Sequence, residues 1–259
     1  MIPVRVIPCL LLKNRGLVKT VRFKNPTYVG DPINAVKIFN DKQVDELIFV
    51  DISATPLRSD PPFEQLKQIS SECFMPFAYG GGVTSMSHFH SLFALGVEKV
   101  CVNTQAVKNP GFLEGAAREF GSQSVVGAID VKKKLIGGYE ARMDGGRVGT
   151  GLSPVELARR YEGEGAGEIF LNDIDRDGMM SGYNIDLIKS VTDAVGIPVV
   201  ACGGARNVED LSAAILQGGA SAAAAGSMFV FMGKHRAVLI NYPVPPGKSF
   251  AEGRIQSNH

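Results

Sequence analysis

The chain has 259 residues, 45% of them hydrophobic and 20% charged, which is the size and make-up of one domain with a single large core and no need of a disulfide or metal staple. Its 27 basic and 26 acidic side chains nearly cancel, so the basic excess or stripe of a nucleic-acid binder is missing. No run approaches the ~18 apolar residues of a membrane span.

In chain order, the first element is a strand over Val4–Leu12 in MIPVRVIPCLLLKNRG. Arg5 inside this apolar run, and the lack of a small-residue cleavage site, argue against a signal peptide. Lys13 and Lys19 flank the next turn, and Thr20–Gly30 reads as a polar loop long enough to act as a lid. Further apolar, β-branched strands are expected at Glu46–Asp51, Pro76–Tyr79, Lys99–Asn103, Ser124–Asp130, Glu168–Asn172, Pro198–Cys202 and Ser221–Ala225. Runs this apolar suit parallel strands covered on both faces. Helical patterns alternate with them at Asp31–Lys42, Phe63–Cys73, Ser85–Leu95, Pro110–Phe120, Pro154–Glu164, Ile185–Ala194 and Val208–Gln217. Asp31-Pro32 and Ser153-Pro154 are good helix openings. After Ala237–Asn241 the chain is expected to leave the domain, 1–241, for an extended tail over 242–259.

Eight strands alternating with helices fit either a closed barrel or a doubly wound sheet. An internal repeat selects the barrel. LIFVD ends at Asp51 and IFLND at Asp173, a spacing of 122, and at that same offset Gly81-Gly82 matches Gly203-Gly204 and Gly96 matches Gly218. The expected fold is therefore α/β, a single (β/α)8 TIM barrel with a two-fold half-barrel repeat.

Function in such a barrel lies at the C-terminal strand ends. Gly80-Gly81-Gly82 and Gly203-Gly204 fall there, as do the turns Asn103-Thr104 and Gly226-Ser227. Exposed backbone N–H groups, a hydroxyl and a helix start make an anion site, so the repeat implies two phosphate sites across the mouth. Asp51, Asp130 and Asp177 lie on the same side. Asp130, ending VVGAID, suits a proton carrier with a raised pKa, although a helix cap or a partner for Lys19 is an equal reading. Asp177-Gly178, in the turn-rich IDRDGMMSG, is placed to offer a backbone N–H to a ligand oxygen. Cys9, Cys73, Cys101 and Cys202 form no C-x-x-C pair and read as small buried hydrophobes in a reducing compartment, which makes a cytoplasmic location the expectation. The four histidines have no metal-ligand spacing, and neither a metal nor a cofactor is expected.

The runs RVIPCLLLK, FVDI, YGGGV, VNTQAV, FGSQSVVGAID, GAGEIFLNDIDRDGMMSGY and ACGGA resemble the cyclase subunit of imidazole glycerol phosphate synthase, from Arg5 to about Phe231. That family takes ammonia from a glutaminase, closes an imidazole ring on a bisphosphate ribonucleotide and releases an aminoimidazole carboxamide ribotide. The resemblance implies that Asp130 and Lys19 are catalytic. It assigns Gly82, Asn103 and Thr104 to one phosphate site, and Asp177, Gly178, Gly204 and Ser227 to the other. Arg5, Glu46, Lys99 and Glu168 match the family's ammonia gate at the barrel bottom, with Gln123 near it. The implied partner is a glutaminase subunit, in a heterodimer.

Four departures stand out. The family's first strand carries a second acid/base aspartate where this chain has Leu11, and leucine moves no proton. Asn172 replaces a threonine, and Arg142-Met143-Asp144-Gly145-Gly146 replaces a Ser/Thr-bearing hairpin. The usual long last helix is absent from the pattern. Two readings follow: a working histidine-biosynthesis cyclase with altered acid/base chemistry, or a paralogue that keeps the dock and passes ammonia to a sugar amidotransferase making an acetamidino sugar for surface polysaccharide. Leu11 and PCLLLK favour the second. A phosphate-binding scaffold without an ammonia role is opposed by Arg5, Glu46, Lys99 and Glu168, since a buried charge ring has no obvious stability benefit.

Overall fold

A computed structural model of the chain describes residues 4–233, 235–243, 248–251 and 254–257. In chain order its strands are β1 (Arg5–Lys13), β2 (Gly16–Val21), β3 (Lys24–Gly30), β4 (Leu47–Asp51), β5 (Phe77–Gly80), β6 (Lys99–Val102), β7 (Val125–Lys133), β8 (Tyr139–Met143), β9 (Val148–Gly149), β10 (Glu168–Asp173), β11 (Val199–Cys202) and β12 (Ala222–Ala225). Eight of them, β1-β4-β5-β6-β7-β10-β11-β12, pair in parallel. β12 returns to β1, with Arg5 opposite Ala222, so the sheet closes on itself. This is the (β/α)8 barrel.

Its outer ring is α1 (Pro32–Asp41), α2 (Ala54–Leu57), α3 (Phe63–Glu72), α4 (Met86–Ala94), α5 (Thr104–Lys108), α6 (Phe112–Phe120), α7 (Pro154–Gly163), α8 (Ile185–Thr192), α9 (Val208–Leu216) and α10 (Ser227–Val230). The openings work as their sequences suggest. Asp31 accepts from the N–H groups of Ile33 and Asn34 at 2.9 and 3.0 Å, and Ser153 and Glu156 form a reciprocal capping box. Phe39, Leu66, Phe89, Leu157 and Leu211 are fully buried between helices and sheet. Burying one such side chain contributes about 1.5–3 kcal/mol. A second, separate apolar cluster fills the barrel itself: Ile7, Cys9, Ile48, Ala78, Cys101, Val126, Phe170, Val200, Cys202, Ala222 and Ala224.

The half-barrel repeat is visible in contacts as well as spacing. A Cβ on Gly81 would lie 2.6 Å from the carbonyl oxygen of Asp51, and one on Gly203 would lie 2.7 Å from that of Asp173. Both glycines have positive φ, +127° and +95°. The same close approach of turn to neighbouring strand end is thus built twice, 122 residues apart.

Three differences from the sequence expectations have local causes. The segment Thr20–Gly30 is not a loop: β2 and β3 form an antiparallel hairpin that continues from β1. Both of its turns, Asn14-Arg15 and Arg22-Phe23, put two successive residues at positive φ, the two-residue hairpin geometry that usually advertises itself as Asn-Gly. Second, α2, α5 and α10 are four or five residues long, too short to show a helical period. Third, β14 (Ala237–Val238) pairs back on β13 (Phe231–Met232), and the described part of the expected tail is a hairpin of β15 (Lys248–Ala251) and β16 (Arg254–Ser257). Residues 244–247, 252–253 and 258–259 lie outside the described residues. Among the described residues no helix is long and apolar enough to cross a membrane.

Candidate functional site: a glycine-rich mouth above a charged ring

The C-terminal strand ends and the loops after them enclose a cavity of about 1240 Å3. Lys19, Gly82, Asn103, Thr104, Asp130, Asp177, Gly178, Gly204 and Ser227 all line it. Every residue expected to be catalytic or phosphate-binding therefore faces one space.

Asp130 closes the inward-facing row of β7, beside Asn172 of β10. Its carboxylate accepts from the Asn103 amide at 3.1 Å, and that same amide donates to the Arg142 carbonyl, also at 3.1 Å. Burial lifts the Asp130 pKa to about 7, and the nearby Asp177 charge adds to the rise. A carboxyl that exchanges its proton near neutrality is what a general acid/base needs. The sign of the linked stability is definite. The folded chain holds the proton more tightly than the unfolded one, so stability falls as pH rises from about 4 to 7 and is flat above. Asp130→Asn is expected to abolish that fall, gaining on the order of 2 kcal/mol at pH 8 and nothing at pH 4, because cavity solvent moderates the full effect. Melting temperatures of the two proteins across pH 4–8 check this; parallel curves would remove Asp130 as the neutral-range group.

Lys19 is buried, and its ammonium donates to the Cys9 carbonyl at 2.5 Å. Burial lowers its pKa, against the charges of Cys9 and Asp177 that raise it. Asp177 anchors the hairpin above: its carboxylate accepts from the Thr20 hydroxyl at 2.6 Å and from the Phe23 N–H at 3.2 Å, and its carbonyl accepts from the Arg22 N–H at 2.9 Å. Burial raises its pKa despite these bonds. At Gly178, φ +70°, a Cβ would fall 2.0 Å from the Thr20 carbonyl oxygen, so only glycine lets the β10 loop sit against β2.

The two glycine-rich turns sit apart on this wall, and Gly82, Gly204 and Ser227 are buried within it. The Thr104 hydroxyl accepts from the Asp144 N–H at 2.9 Å, which leaves its proton to donate to an anion. Sequence reasoning flagged the residues around Arg142 only as a departure. The structure shows why they matter: β8 leans on Asn103 and Thr104 and puts Arg142 and Arg147 on the rim. Antiparallel pairing of β8 with β7, which places Arg142 opposite Asp130, was the missing signal.

Leu11 also lines the cavity. It pairs in register with Val50 of β4 and packs with Val50 and Ala128 on the barrel's inner cluster. No carboxylate stands at that point of the wall.

At the opposite end, Arg5, Glu46, Lys99 and Glu168 form a ring of alternating charge. Arg5 bonds Glu46 at 2.5 Å and also bonds Glu168, while Lys99 lies 3.1 Å from both Glu46 oxygens and 3.0 Å from Glu168. Both glutamates are buried. Gln123 is not brought to the ring: it is exposed, and its amide donates to the Phe120 carbonyl at 3.3 Å. Ring, apolar interior and mouth follow one another along the barrel axis.

Residues 5–236 match the model of the family described as "Histidine biosynthesis protein". The chain belongs to that family. A protein from Pseudomonas aeruginosa, named "Putative imidazole glycerol phosphate synthase subunit hisF2", is 52% identical over 239 residues, covering 92% of this chain and 95% of the relative. One from Vibrio vulnificus, "Putative imidazole glycerol phosphate synthase subunit hisF3", is 44% identical over 248 residues and 95% of each chain. "Imidazole glycerol phosphate synthase subunit HisF" of Alkaliphilus metalliredigens is 42% identical over 229 residues, 88% of this chain and 91% of the relative.

Proposed function

We propose that this histidine-biosynthesis-type barrel docks a glutaminase at its charged ring, receives the ammonia released there and relays it through the barrel for acetamidino-sugar (surface polysaccharide) synthesis by a separate sugar amidotransferase. The observation that carries this reading is Leu11 on the mouth wall. With it, Asp130 is left as the sole neutral-range carboxyl of the pair that ring closure in this family uses, while the charged ring at the other end of the barrel is kept.

The barrel interior between ring and mouth has the chemistry that a route for a neutral molecule needs. Its apolar cluster, with alanines at 78, 222 and 224, admits uncharged ammonia far more readily than ammonium, whose burial without partners costs many kcal/mol. The mouth keeps both glycine turns, so a phosphate-bearing ligand still has a place to bind, as a substrate or as an effector.

The second reading is an active histidine-biosynthesis cyclase that makes imidazole glycerol phosphate and aminoimidazole carboxamide ribotide. Asp130 near neutrality, the intact phosphate turns and the names of the relatives favour it. The test is an ammonium-driven assay of the purified chain with the family's formimino-aminoimidazole bisphosphate substrate. Binding without ring closure supports the relay; turnover at a rate well above background means the chain is a true synthase subunit.

A further inference from the structure

The hairpin that leaves Asp130 carries a tip for which neither the barrel nor the cavity has a use. Its turn spans Lys134–Gly138, closed by the Lys134 N–H to the Gly138 carbonyl at 3.1 Å, with Gly137 and Gly138 at φ +63° and +66°. Asp175 braces its base by accepting from the Lys133 N–H at 2.8 Å. On this held turn Leu135 and Ile136 are 106% and 90% exposed. Turns ordinarily take polar residues, and two large aliphatic side chains left in water contribute nothing to the fold.

Lys132, Lys133 and Lys134 flank the pair, and among the described residues none of the three makes an ion pair. The adjacent acid, Glu140, is already taken by Arg142 at 2.9 Å and by the Gly151 N–H at 3.2 Å. The three lysines, Leu135, Glu140 and Arg142 line a shallow groove of about 250 Å3. Lys132 and Arg142 also line the mouth, so the groove lies beside the cavity.

We propose that this tip and groove dock an acidic segment of a partner protein, the one that takes ammonia at the mouth; the proposal rests on the relay reading above. The ammonium groups of Lys132 and Lys133, beside a Lys134 that already feels the charges of Glu140 and Glu156, call for carboxylates, and Leu135 with Ile136 calls for a small apolar cleft between them. A protein fits better than a lipid surface. The groove is concave and shares Lys132 and Arg142 with the mouth, so its occupant sits at the edge of the cavity.

The test uses the chain in complex with its glutaminase. The probes are a fluorescein-labelled peptide bearing four glutamates and two leucines, its lysine counterpart, and vesicles of phosphatidylserine and phosphatidylcholine. Saturable, salt-sensitive binding of the acidic peptide is expected, weakened tenfold or more in Leu135→Ser/Ile136→Ser and in Lys133→Glu/Lys134→Glu. These positions are exposed, so the fold tolerates the changes. Absent binding, equal binding by both variants, or vesicle capture that depends on the same residues would each overturn the proposal. Glutamine turnover, followed in parallel, separates the two ideas. If the barrel fails to stimulate its glutaminase while the peptide still binds at the tip, the relay reading falls and the docking site stands.

Discussion

Leu11→Asp is expected to raise ammonium-driven ring closure by 10²–10⁴-fold over the native chain, the usual worth of one positioned general acid/base. Position 11 is on the inward-facing row of β1, between Cys9 and Lys13, on the cavity wall rather than in the sealed interior. An aspartate there lines the same cavity as Asp130, so burial raises its pKa toward neutrality as well, and the lost leucine contact amounts to about 1–2 kcal/mol. Asp130 stays in place, held by Asn103. The substitution thus supplies a second proton-transfer group without disturbing the first. Measured turnover of the two proteins under saturating ammonium decides the matter: equal rates would show that Leu11 is not what limits cyclisation, and the relay reading would lose its main support.

The second large effect lies at the other end of the axis. Lys99→Ala is expected to destabilise the chain by about 2–3 kcal/mol and to uncouple glutamine turnover from ammonia delivery in the glutaminase complex. Two buried glutamates then share Arg5 as their sole partner within the ring, and removing one member of a buried charge set leaves uncompensated charge behind. Lys99→Met with Glu168→Gln, which removes one charge of each sign, should recover most of the stability but not the coupling. Chemical denaturation and ammonia-transfer assays on the same samples separate the two roles. Unchanged transfer in Lys99→Ala would mean that ammonia does not pass the ring.

How much of this was legible in sequence follows from the range of the signals. The eight barrel strands were plain because each is an apolar run bounded by turn residues, and the offset of 122 between matched glycines told a barrel from an open sheet. The β2–β3 hairpin was not plain. Its turns are Asn14-Arg15 and Arg22-Phe23, and nothing local warns that Phe23 will adopt positive φ; the bonds to Asp177 that hold it come from 154 residues away. The site divides along the same line. Glycines and Asp130 announce themselves by position at strand ends. The hold of Asn103 on Asp130, of Asp144 on Thr104 and of Lys19 on Cys9 depends on how strands are juxtaposed. Gln123 shows the converse: a motif match placed it near the ring, while its position in the short turn Ser122–Ser124 before β7 leaves it at the surface.

Closure of the barrel also constrains how the chain reaches this state. β1 is made first, yet one of its two barrel neighbours is β12, so Arg5 finds Ala222 only when almost the whole polypeptide has emerged. Until then β1 presents a free edge of apolar sequence, although the last member of the charged ring, Glu168, and the Asp177 clasp on β2 have already been made. Pairing across such sequence distances makes loop closure the slow event and leaves early chains prone to sticking together. A nascent chain stalled before Ala222 would lack the final rung and leave the apolar edge of β1 unpaired on that side.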